Sequence, residues 1–206
     1  MDGIDGRVAL VTGGGSGLGE AIGKRLASLG ASVVLSDIKL DAAERVASEI
    51  SAAGGNARAI EQDTAKPEDS EKVVRFAVQT YGALNYAVNN AGIGEQPTPI
   101  DERPDTDWDR VIAVNLTSAF HFTKHAARFW KGKGQGGVIV NVASILGVVG
   151  FKGAPAYTAA KHGLVGFTKA SALELAEFGI RVVSVNPAFI RTPLISGMED
   201  AVLPLH

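Results

Sequence analysis

The chain of 206 residues is 46% hydrophobic and 20% charged with a formal net charge of −2, which fits one sizeable hydrophobic core and hence a single domain over residues 1–206. It has no long basic run, which argues against nucleic acid as the main partner. It has no cysteine, which excludes disulfides and thiolate metal sites, and its histidines have no spacing that suggests a metal site. It also lacks an apolar run long enough to span a membrane and an N-terminal signal peptide, so we expect a cytoplasmic protein that binds no membrane.

The stretch from Arg7 to Asp37 predicts a buried strand, a glycine-rich turn, a helix and a second buried strand. The glycines of the turn fit G-x-x-x-G-x-G at Gly13, Gly17 and Gly19. They allow the backbone to approach a phosphate closely, and the N-terminus of the following helix attracts an anion. Asp37 ends the second strand, where it can accept hydrogen bonds from a ribose diol. The unit is therefore predicted to bind a dinucleotide, with a purely structural glycine turn as the alternative.

The rest of the sequence alternates between helix and strand patterns. Helices are predicted over residues 41–53, 67–81, 107–131 with a break near Asn115, and 156–178, and strands over residues 57–60, 84–88, 138–142 and 181–186. Six strands separated by helices predict an α/β fold, a doubly wound (Rossmann-like) parallel sheet in the order 3-2-1-4-5-6 with helices on both faces. Ligands bind such sheets beyond the carboxyl ends of the strands, and Asn89 and Ser144 follow strands four and five at that edge.

Tyr157 and Lys161 are four residues apart in a predicted helix, so their side chains lie on one face about one turn apart. An ammonium group beside a phenol favours the phenolate and lowers a tyrosine pKa that is otherwise about 10, which makes a general acid or base of the tyrosine. Ser144 could hydrogen-bond the reacting oxygen. Because an isolated Y-x-x-x-K pattern is common by chance, an ordinary surface tyrosine and lysine is the alternative on this spacing alone.

Taken in order, these features resemble the short-chain dehydrogenase/reductase family. The resemblance extends from Gly6 to about Leu194. It is carried by TGGGSGLG (residues 12–19), NNAG (residues 89–92), Asn115, Ser144, the Tyr157 and Lys161 pair, and NPAFIRT (residues 186–192).

The resemblance implies four catalytic residues. Tyr157 would transfer the proton, and Lys161 would lower its pKa and hydrogen-bond the nicotinamide ribose. Ser144 would orient and polarise the substrate oxygen. Asn115 would interrupt its helix and hold a water that links Lys161 to solvent, although an asparagine in a helix break can also be only structural.

The resemblance also implies a set of cofactor-binding residues besides Tyr157 and Lys161. They are Gly13, Ser16, Gly17, Leu18 and Gly19 in the turn, Asp37 at the ribose, Asp63 and Thr64 by the adenine, Asn89 near the adenine-side ribose, and Ile190 and Thr192 at the nicotinamide carboxamide. No metal is implied.

Asp37 predicts NAD as the cofactor, because a carboxylate binds a 2′-hydroxyl but repels a 2′-phosphate at short range. Ser16 is not the basic residue that NADP-preferring relatives often have at this place. Lys39 is the one nearby cation that could weaken the preference.

The expected function is that of an NAD-dependent oxidoreductase interconverting a secondary alcohol and a ketone. The apolar run after Ser144, comprising Ile145, Leu146, Val148, Val149 and Phe151, suggests a pocket wall for an apolar substrate, or alternatively core. An NAD-binding regulator and a truncated, inactive form that binds cofactor without turnover are the rival interpretations.

Two departures from the family pattern concern the C-terminal part. Ala188 stands where relatives usually have glycine, and the chain ends at His206, before the usual substrate lid and seventh strand. We therefore expect the seventh strand to be absent and the lid to be missing or truncated. The family also favours homo-oligomers paired through helices corresponding to residues 115–131 and 157–178, so a homodimer or a homotetramer is expected.

Overall fold

A computed structural model of the protein describes residues 3–196. Six strands form one parallel sheet in the order β3-β2-β1-β4-β5-β6. The strands are β1 (Val8–Thr12), β2 (Ser32–Asp37), β3 (Asn56–Glu61), β4 (Tyr86–Asn89), β5 (Gly137–Val142) and β6 (Ile180–Val185). The doubly wound fold and the strand order predicted from the sequence are confirmed.

The helices cover both faces of this sheet. They are α1 (Gly17–Ser28), α2 (Leu40–Ala52), α3 (Pro67–Tyr81), α4 (Asp105–Ile112), α5 (Ser118–Lys133) and α6 (Pro155–Leu175). Neighbouring residues of β1 point to opposite faces, as the period of a strand requires. Leu10 packs in a core cluster with side chains of α3 and α5, whereas Val11 packs in a second cluster with side chains of α1 and α2.

Several helix ends follow directly from single residues. Pro67 occupies the first turn of α3, where its missing N–H costs nothing. Gly82 and Gly179 end helical segments with φ of 75° and 68°, a left-handed conformation that favours glycine. These positions agree with the limits of the helices that the sequence predicts over residues 67–81 and 156–178.

The predicted helix break near Asn115 is present as an interruption of the α-helical geometry. The chain passes from α4 to α5 through a π-helical turn, Ala113–Thr117, so the helix widens instead of stopping. The Asn115 side-chain amide donates to the main-chain oxygens of Val111 at 3.1 Å and Ile93 at 2.9 Å. A side chain that bonds the main chain in this way stabilises the irregular turn, and such turns are frequent at functional sites.

The described residues contain six strands. The expectation of a missing seventh strand and lid concerns the chain after Thr192, of which residues 197–206 lie outside the described residues.

Candidate active site

A cavity of about 740 Å³ extends along the carboxyl ends of the strands. It begins at the turn after β1, passes the ends of β2 and β3, and continues to the segments that follow β4, β5 and β6. Twelve residues that the sequence predicts as site residues line this one cavity: Gly13, Ser16, Gly17, Leu18, Asp37, Asp63, Thr64, Ser144, Tyr157, Lys161, Ile190 and Thr192. The fold thus brings together residues that are far apart in the sequence.

The glycine turn has a backbone conformation that side chains resist. Gly13 and Gly17 have φ of 64° and 55°, and a Cβ on Gly13 would lie 2.9 Å from the Cα of Ala91. A residue with a side chain would therefore be strained and would crowd the cavity floor. The turn leads into α1, whose first N–H groups have no partner within the helix, so this geometry fits the phosphates of a dinucleotide.

Asp37 is fixed at the cavity wall by two main-chain groups. Its Oδ2 accepts a hydrogen bond from the Gly15 N–H at 3.0 Å, and its Oδ1 accepts one from the Lys39 N–H at 3.0 Å. Each carboxylate oxygen retains a free lone pair, since an ionised carboxylate has about four acceptor positions. This arrangement fits recognition of a ribose diol.

Lys161 is buried, with 4% of its surface exposed, and its Nζ donates to the main-chain oxygen of Val142 at 2.9 Å. Burial lowers the pKa of Lys161 from 10.5 to about 8, because the charged form loses hydration. Its Nζ lies 5.4 Å from the centre of the Tyr157 ring. The spacing of four residues within α6 therefore does place both side chains on one face, towards the cavity.

The pKa of Tyr157 is raised, which differs from the lowering predicted from the sequence. Burial is the main cause, since it disfavours the phenolate, and a hydrogen-bond interaction with the Ser144 hydroxyl lowers the pKa by less. The amino group of Lys161 is directed to Val142 and does not offset the burial. Ser144 itself precedes a 3₁₀ turn, Ile145–Gly147, and its Oγ accepts from the Leu146 N–H at 3.1 Å.

Comparison with known proteins agrees with this geometry. The family model for short chain dehydrogenase matches residues 7–202. The chain belongs to this family. As a member, the protein is an oxidoreductase that acts on CH–OH groups with a nicotinamide dinucleotide.

Individual relatives support the same assignment. The chain is 48% identical to a cyclohexanol dehydrogenase from an Acinetobacter species. This alignment of 201 residues covers 97% of this chain and 80% of the relative. It is 41% identical to a D-beta-hydroxybutyrate dehydrogenase from Cupriavidus necator, over 96% of this chain and 76% of the relative. A crystal structure of a short-chain type dehydrogenase/reductase from Mycobacterium marinum superposes with a TM-score of 0.92 at 33% identity, covering 96% of this chain and 78% of that one.

Three residues that the family resemblance assigns to the site do not line the cavity. Gly19 faces the turn from within α1, and a Cβ there would collide with the Gly13 main-chain oxygen. Asn115 is buried and bonds Ile93 and Val111. It nevertheless borders the site, because a Cβ on Gly92 would lie 2.7 Å from the Asn115 Oδ1 and 3.7 Å from the Lys161 Nζ.

Asn89 is the third of these residues, and its side chain does not face the cavity, so its predicted place near a ribose stays a prediction. Its side-chain amide points into the interior and donates to the Asn141 Oδ1 at 2.7 Å. The next residue, Asn90, lines the cavity instead, and its amide donates to the main-chain oxygens of Thr12 at 2.9 Å and Gly13 at 3.1 Å. Side chains alternate in direction along a strand, so the period of β4 was the signal that could have separated the two asparagines.

The apolar wall predicted after Ser144 is only partly present. Leu146 and Phe151 line the cavity, whereas Val148 and Val149 are 55% and 48% exposed. Phe151 packs edge-on against Phe189, with ring centroids 6.0 Å apart. The exposed pair Val148 and Val149 follows the end of the 3₁₀ turn Ile145–Gly147, a position that a run of apolar letters does not reveal.

The sequence interpretation missed a buried ion pair at the cavity. In the loop between β4 and α4, Glu95 and Arg103 pair at 2.7 Å, and their side chains are only 2% and 4% exposed. Glu95 lines the cavity next to Tyr157. Neither residue has a helical or strand spacing to a partner, so the sequence carried no periodic signal for the pair.

Two further absences hold for the part of the chain that the structure describes. No helix within residues 3–196 is long and apolar enough to cross a membrane. Over the same residues, no three His, Asp or Glu side chains cluster as metal ligands would.

Proposed function

We propose that the protein is an NAD-dependent dehydrogenase that interconverts a secondary alcohol and a ketone, with Ser144, Tyr157 and Lys161 as its catalytic set. One observation carries the proposal. The cavity that starts at the glycine turn ends at Tyr157, whose hydroxyl interacts with Ser144 and whose ring lies beside the buried Lys161. A dinucleotide and a small alcohol would therefore share this cavity.

In the direction of oxidation, Tyr157 accepts the hydroxyl proton of the alcohol and Ser144 donates a hydrogen bond to the same oxygen. The bound nicotinamide supplies the hydride acceptor. Burial raises the pKa of Tyr157, so in the free protein its phenolate forms only above the ordinary range of tyrosine. We therefore expect oxidation to speed up with rising pH, because more of the enzyme then has an ionised base.

Lys161 and Asn115 would connect Tyr157 to solvent. Burial lowers the pKa of Lys161 to about 8, so its amino group can gain and lose a proton near neutral pH. Asn115 lies beside it across Gly92 and could hold a water on its Oδ1. In this role Lys161 passes to solvent the proton that Tyr157 receives from the alcohol, and Asn115 would hold the water that connects Lys161 to solvent.

The cofactor proposal rests on Asp37. Its carboxylate is held in place by the Gly15 and Lys39 N–H groups, so it cannot easily turn away from a 2′-phosphate. Replacing Asp37→Asn should raise kcat/KM for NADP relative to NAD by about tenfold, since about 1.4 kcal/mol of repulsion is removed. Asp41→Asn, an exposed charge nearby on α2, is the matched control. Equal use of both cofactors by the wild type would contradict the proposal.

The proposed substrate class is a cyclic secondary alcohol. Leu146, Phe151 and Ile93 give the cavity an apolar wall near Tyr157, and the relative at 48% identity is named for cyclohexanol. A short hydroxy acid is the second candidate. Arg110 lines the same cavity and could bind a carboxylate, and the relative at 41% identity is named for hydroxybutyrate.

The deciding experiment measures NAD reduction by the purified protein with cyclohexanol, larger cyclic alcohols and 3-hydroxybutyrate. Tyr157→Phe should lower kcat by about 10² to 10⁴-fold while leaving NAD binding intact. Tyr81→Phe removes a hydroxyl that only bonds Asn56, far from the cavity, and should change nothing. Full turnover by Tyr157→Phe would overturn the mechanism. Binding of NAD with no turnover of any alcohol would favour the regulator or the inactive form.

A homodimer is proposed from the two helices that the family uses for pairing. Phe120 on α5 and Leu173 on α6 are 47% and 83% exposed, which is unusual for side chains of this size. Light scattering of the purified protein should give twice the mass of one chain, or four times if a tetramer forms. A monomer at micromolar concentration would contradict the proposal.

A further inference from the structure

The loop between β4 and α4 contains a pair of buried, opposite charges. Glu95 Oε2 and Arg103 Nη1 lie 2.7 Å apart, and their side chains are 2% and 4% exposed. Removing two charges from water is costly, and a buried pair of this kind contributes little net stability compared with apolar side chains. Its contacts with neighbouring segments therefore point to another role.

Glu95 connects this loop to the helix of Tyr157. Its Oε1 accepts a hydrogen bond from the Tyr157 N–H at 2.7 Å. Tyr157 is the third residue of α6, and the residue before the helix, Ala154, has no side-chain acceptor. Glu95 thus supplies from a distant segment the negative cap that the first turn of α6 lacks.

Arg103 fixes the shape of the same loop. Its Nη2 donates to the main-chain oxygens of Gln96 at 3.2 Å, Thr98 at 3.3 Å and Gly153 at 3.0 Å. The first two contacts hold the loop to itself, and the third joins it to the residue two positions before α6. Nη2 carries two N–H groups, so its three acceptors share them and at least one of these hydrogen bonds is bifurcated.

The opposite end of the loop is held by Asn115. The Asn115 side chain bonds both main-chain groups of Ile93, accepting at 3.1 Å and donating at 2.9 Å. Two residues later, Glu95 bonds Tyr157. The cavity wall at residues 93–95 is therefore fixed between the π-helical turn and the first turn of α6.

We propose that Glu95 and Arg103 are positioning residues, which hold the first turn of α6 against the cavity wall so that Tyr157 reaches the substrate oxygen. This inference rests on the proposed function of Tyr157. It assigns to the pair a second effect, an electrostatic one, because the Glu95 carboxylate lies 2.7 Å from the main-chain nitrogen of Tyr157 and the Arg103 cation compensates its charge.

Few charged groups face Tyr157 from the elements around it. Among the described residues, Lys161 on α6 lies near its ring, Glu95 on the loop bonds its N–H, Arg103 pairs with Glu95, and Arg110 on α4 lines the same cavity. Neutralising Glu95 leaves the Arg103 cation uncompensated, which favours the phenolate and lowers the pKa of Tyr157. Neutralising Arg103 leaves a carboxylate, which raises it. A role limited to stabilising the fold would not produce shifts of opposite sign.

The first measurement is the ultraviolet titration of Tyr157 in the full chain without substrate. Each variant is compared with the same variant carrying Tyr157→Phe, so that the signals of Tyr81 and Tyr86 cancel. Glu95→Gln should shift the pKa of Tyr157 down and Arg103→Met should shift it up, each by about half a unit to one unit. The double variant should return it to within about 0.3 units of the wild type, because the net charge is restored.

The second measurement separates positioning from charge. Glu95→Gln, Arg103→Met and the double variant should all lower kcat about tenfold, with KM changed less than about threefold, since positioning acts on the reacting geometry. Arg103→Lys keeps the charge but cannot make all the main-chain bonds, so it should lower kcat without shifting the pKa. Glu102→Gln removes an exposed charge from the same loop and should behave as wild type.

The outcomes are distinguishable. Shifts of the same sign, or none, in Glu95→Gln and Arg103→Met would overturn the electrostatic part, and wild-type kcat in the double variant would overturn the positioning part. If Arg103→Met does not fold, Glu95→Gln must still lower the pKa and Arg103→Lys must still leave it unchanged. If the wild type turns over no alcohol, the proposed function fails, whereas the titration still decides whether the pair acts on Tyr157.

Discussion

On the β1–β2 side the cavity is bounded by main-chain groups of the glycine turn and by Asp37, whereas on the β4–β6 side it is bounded by the side chains of Ser144, Tyr157 and Lys161. The turn depends on backbone angles that only glycine adopts easily. The opposite side depends on burial, since Lys161 is 4% exposed and the nearby Glu95 and Arg103 are also buried. The glycine turn on the first side has no room for a Cβ at Gly13, whereas the second side encloses buried charged side chains.

Because of this difference, substitutions on the two sides should impair the enzyme in different ways. On the glycine side, any added atom changes the fold of the turn and so affects stability and binding together. On the side of Lys161, the buried charge of that lysine is costly, so replacing Lys161 by an apolar residue can leave the fold intact or more stable while activity is lost. The largest expected effect tests this second case.

Lys161→Met should abolish turnover, with a loss of about 10² to 10⁴-fold in kcat, without destabilising the protein at neutral pH. Burial lowers the pKa of Lys161 from 10.5 in the unfolded chain to about 8 in the folded one. Between those values the unfolded state binds more protons, so the free energy of unfolding should rise with pH, by about 3 kcal/mol over the window. In Lys161→Met this rise should be missing.

Denaturant unfolding at pH 8 and pH 10 measures the effect, with activity followed in parallel. Lys133→Met, which removes an exposed lysine at the end of α5, should retain the wild-type pH dependence. Burial also raises the pKa of Tyr157, so the ionisation of Tyr157 lowers the free energy of unfolding at higher pH. This contribution is common to wild type and variants, so the change between pH 8 and pH 10 is compared as a difference between them. A variant that is much less stable than wild type at pH 7 would show that Lys161 supports the fold.

Gly19→Ala tests the glycine side. The new Cβ would collide with the Gly13 main-chain oxygen, so either α1 or the turn must move. We expect a loss of about 1–3 kcal/mol in the free energy of unfolding together with weaker NAD binding. Gly166→Ala is the matched control, because a Cβ at this exposed position of α6 meets nothing within 4 Å. It should stabilise the protein by about 0.5–1 kcal/mol. Unchanged NAD binding in Gly19→Ala would show that the turn tolerates displacement.

The same difference explains which parts of the site the sequence predicted. The glycine turn and Asp37 are adjacent to elements with clear periodicity, so their place at the strand ends follows from the βαβ pattern. Tyr157 and Lys161 are related by a helical spacing that fixes their common face. These are local relations, and for them the sequence contains the needed geometry.

Relations between distant segments were not predictable in this way. Glu95 meets Tyr157 across 62 positions of sequence, and Asn115 bonds Ile93 across 22. The pKa of Tyr157 was predicted in the wrong direction because the spacing shows that Lys161 is near, but does not show how deeply the phenol is buried. Burial depends on all the segments that pack around a group, so a pairwise pattern underestimates it.

The smallest expected effect concerns charges on the outside of the β1–β2 side. Glu49 on α2 pairs with Lys24 of α1 at 2.6 Å and with Arg45 of α2 itself at 2.7 Å, and the three side chains are 40–48% exposed. Solvent screens such pairs, so Glu49→Gln should shift the melting midpoint by less than about 2 °C. The shift should vanish at about 1 M salt, where the Debye length is about 3 Å. Glu95→Gln, the same chemical change at a buried pair, should lower the midpoint more and should be insensitive to salt. Equal shifts in the two variants would mean that burial does not distinguish the two sides of the molecule.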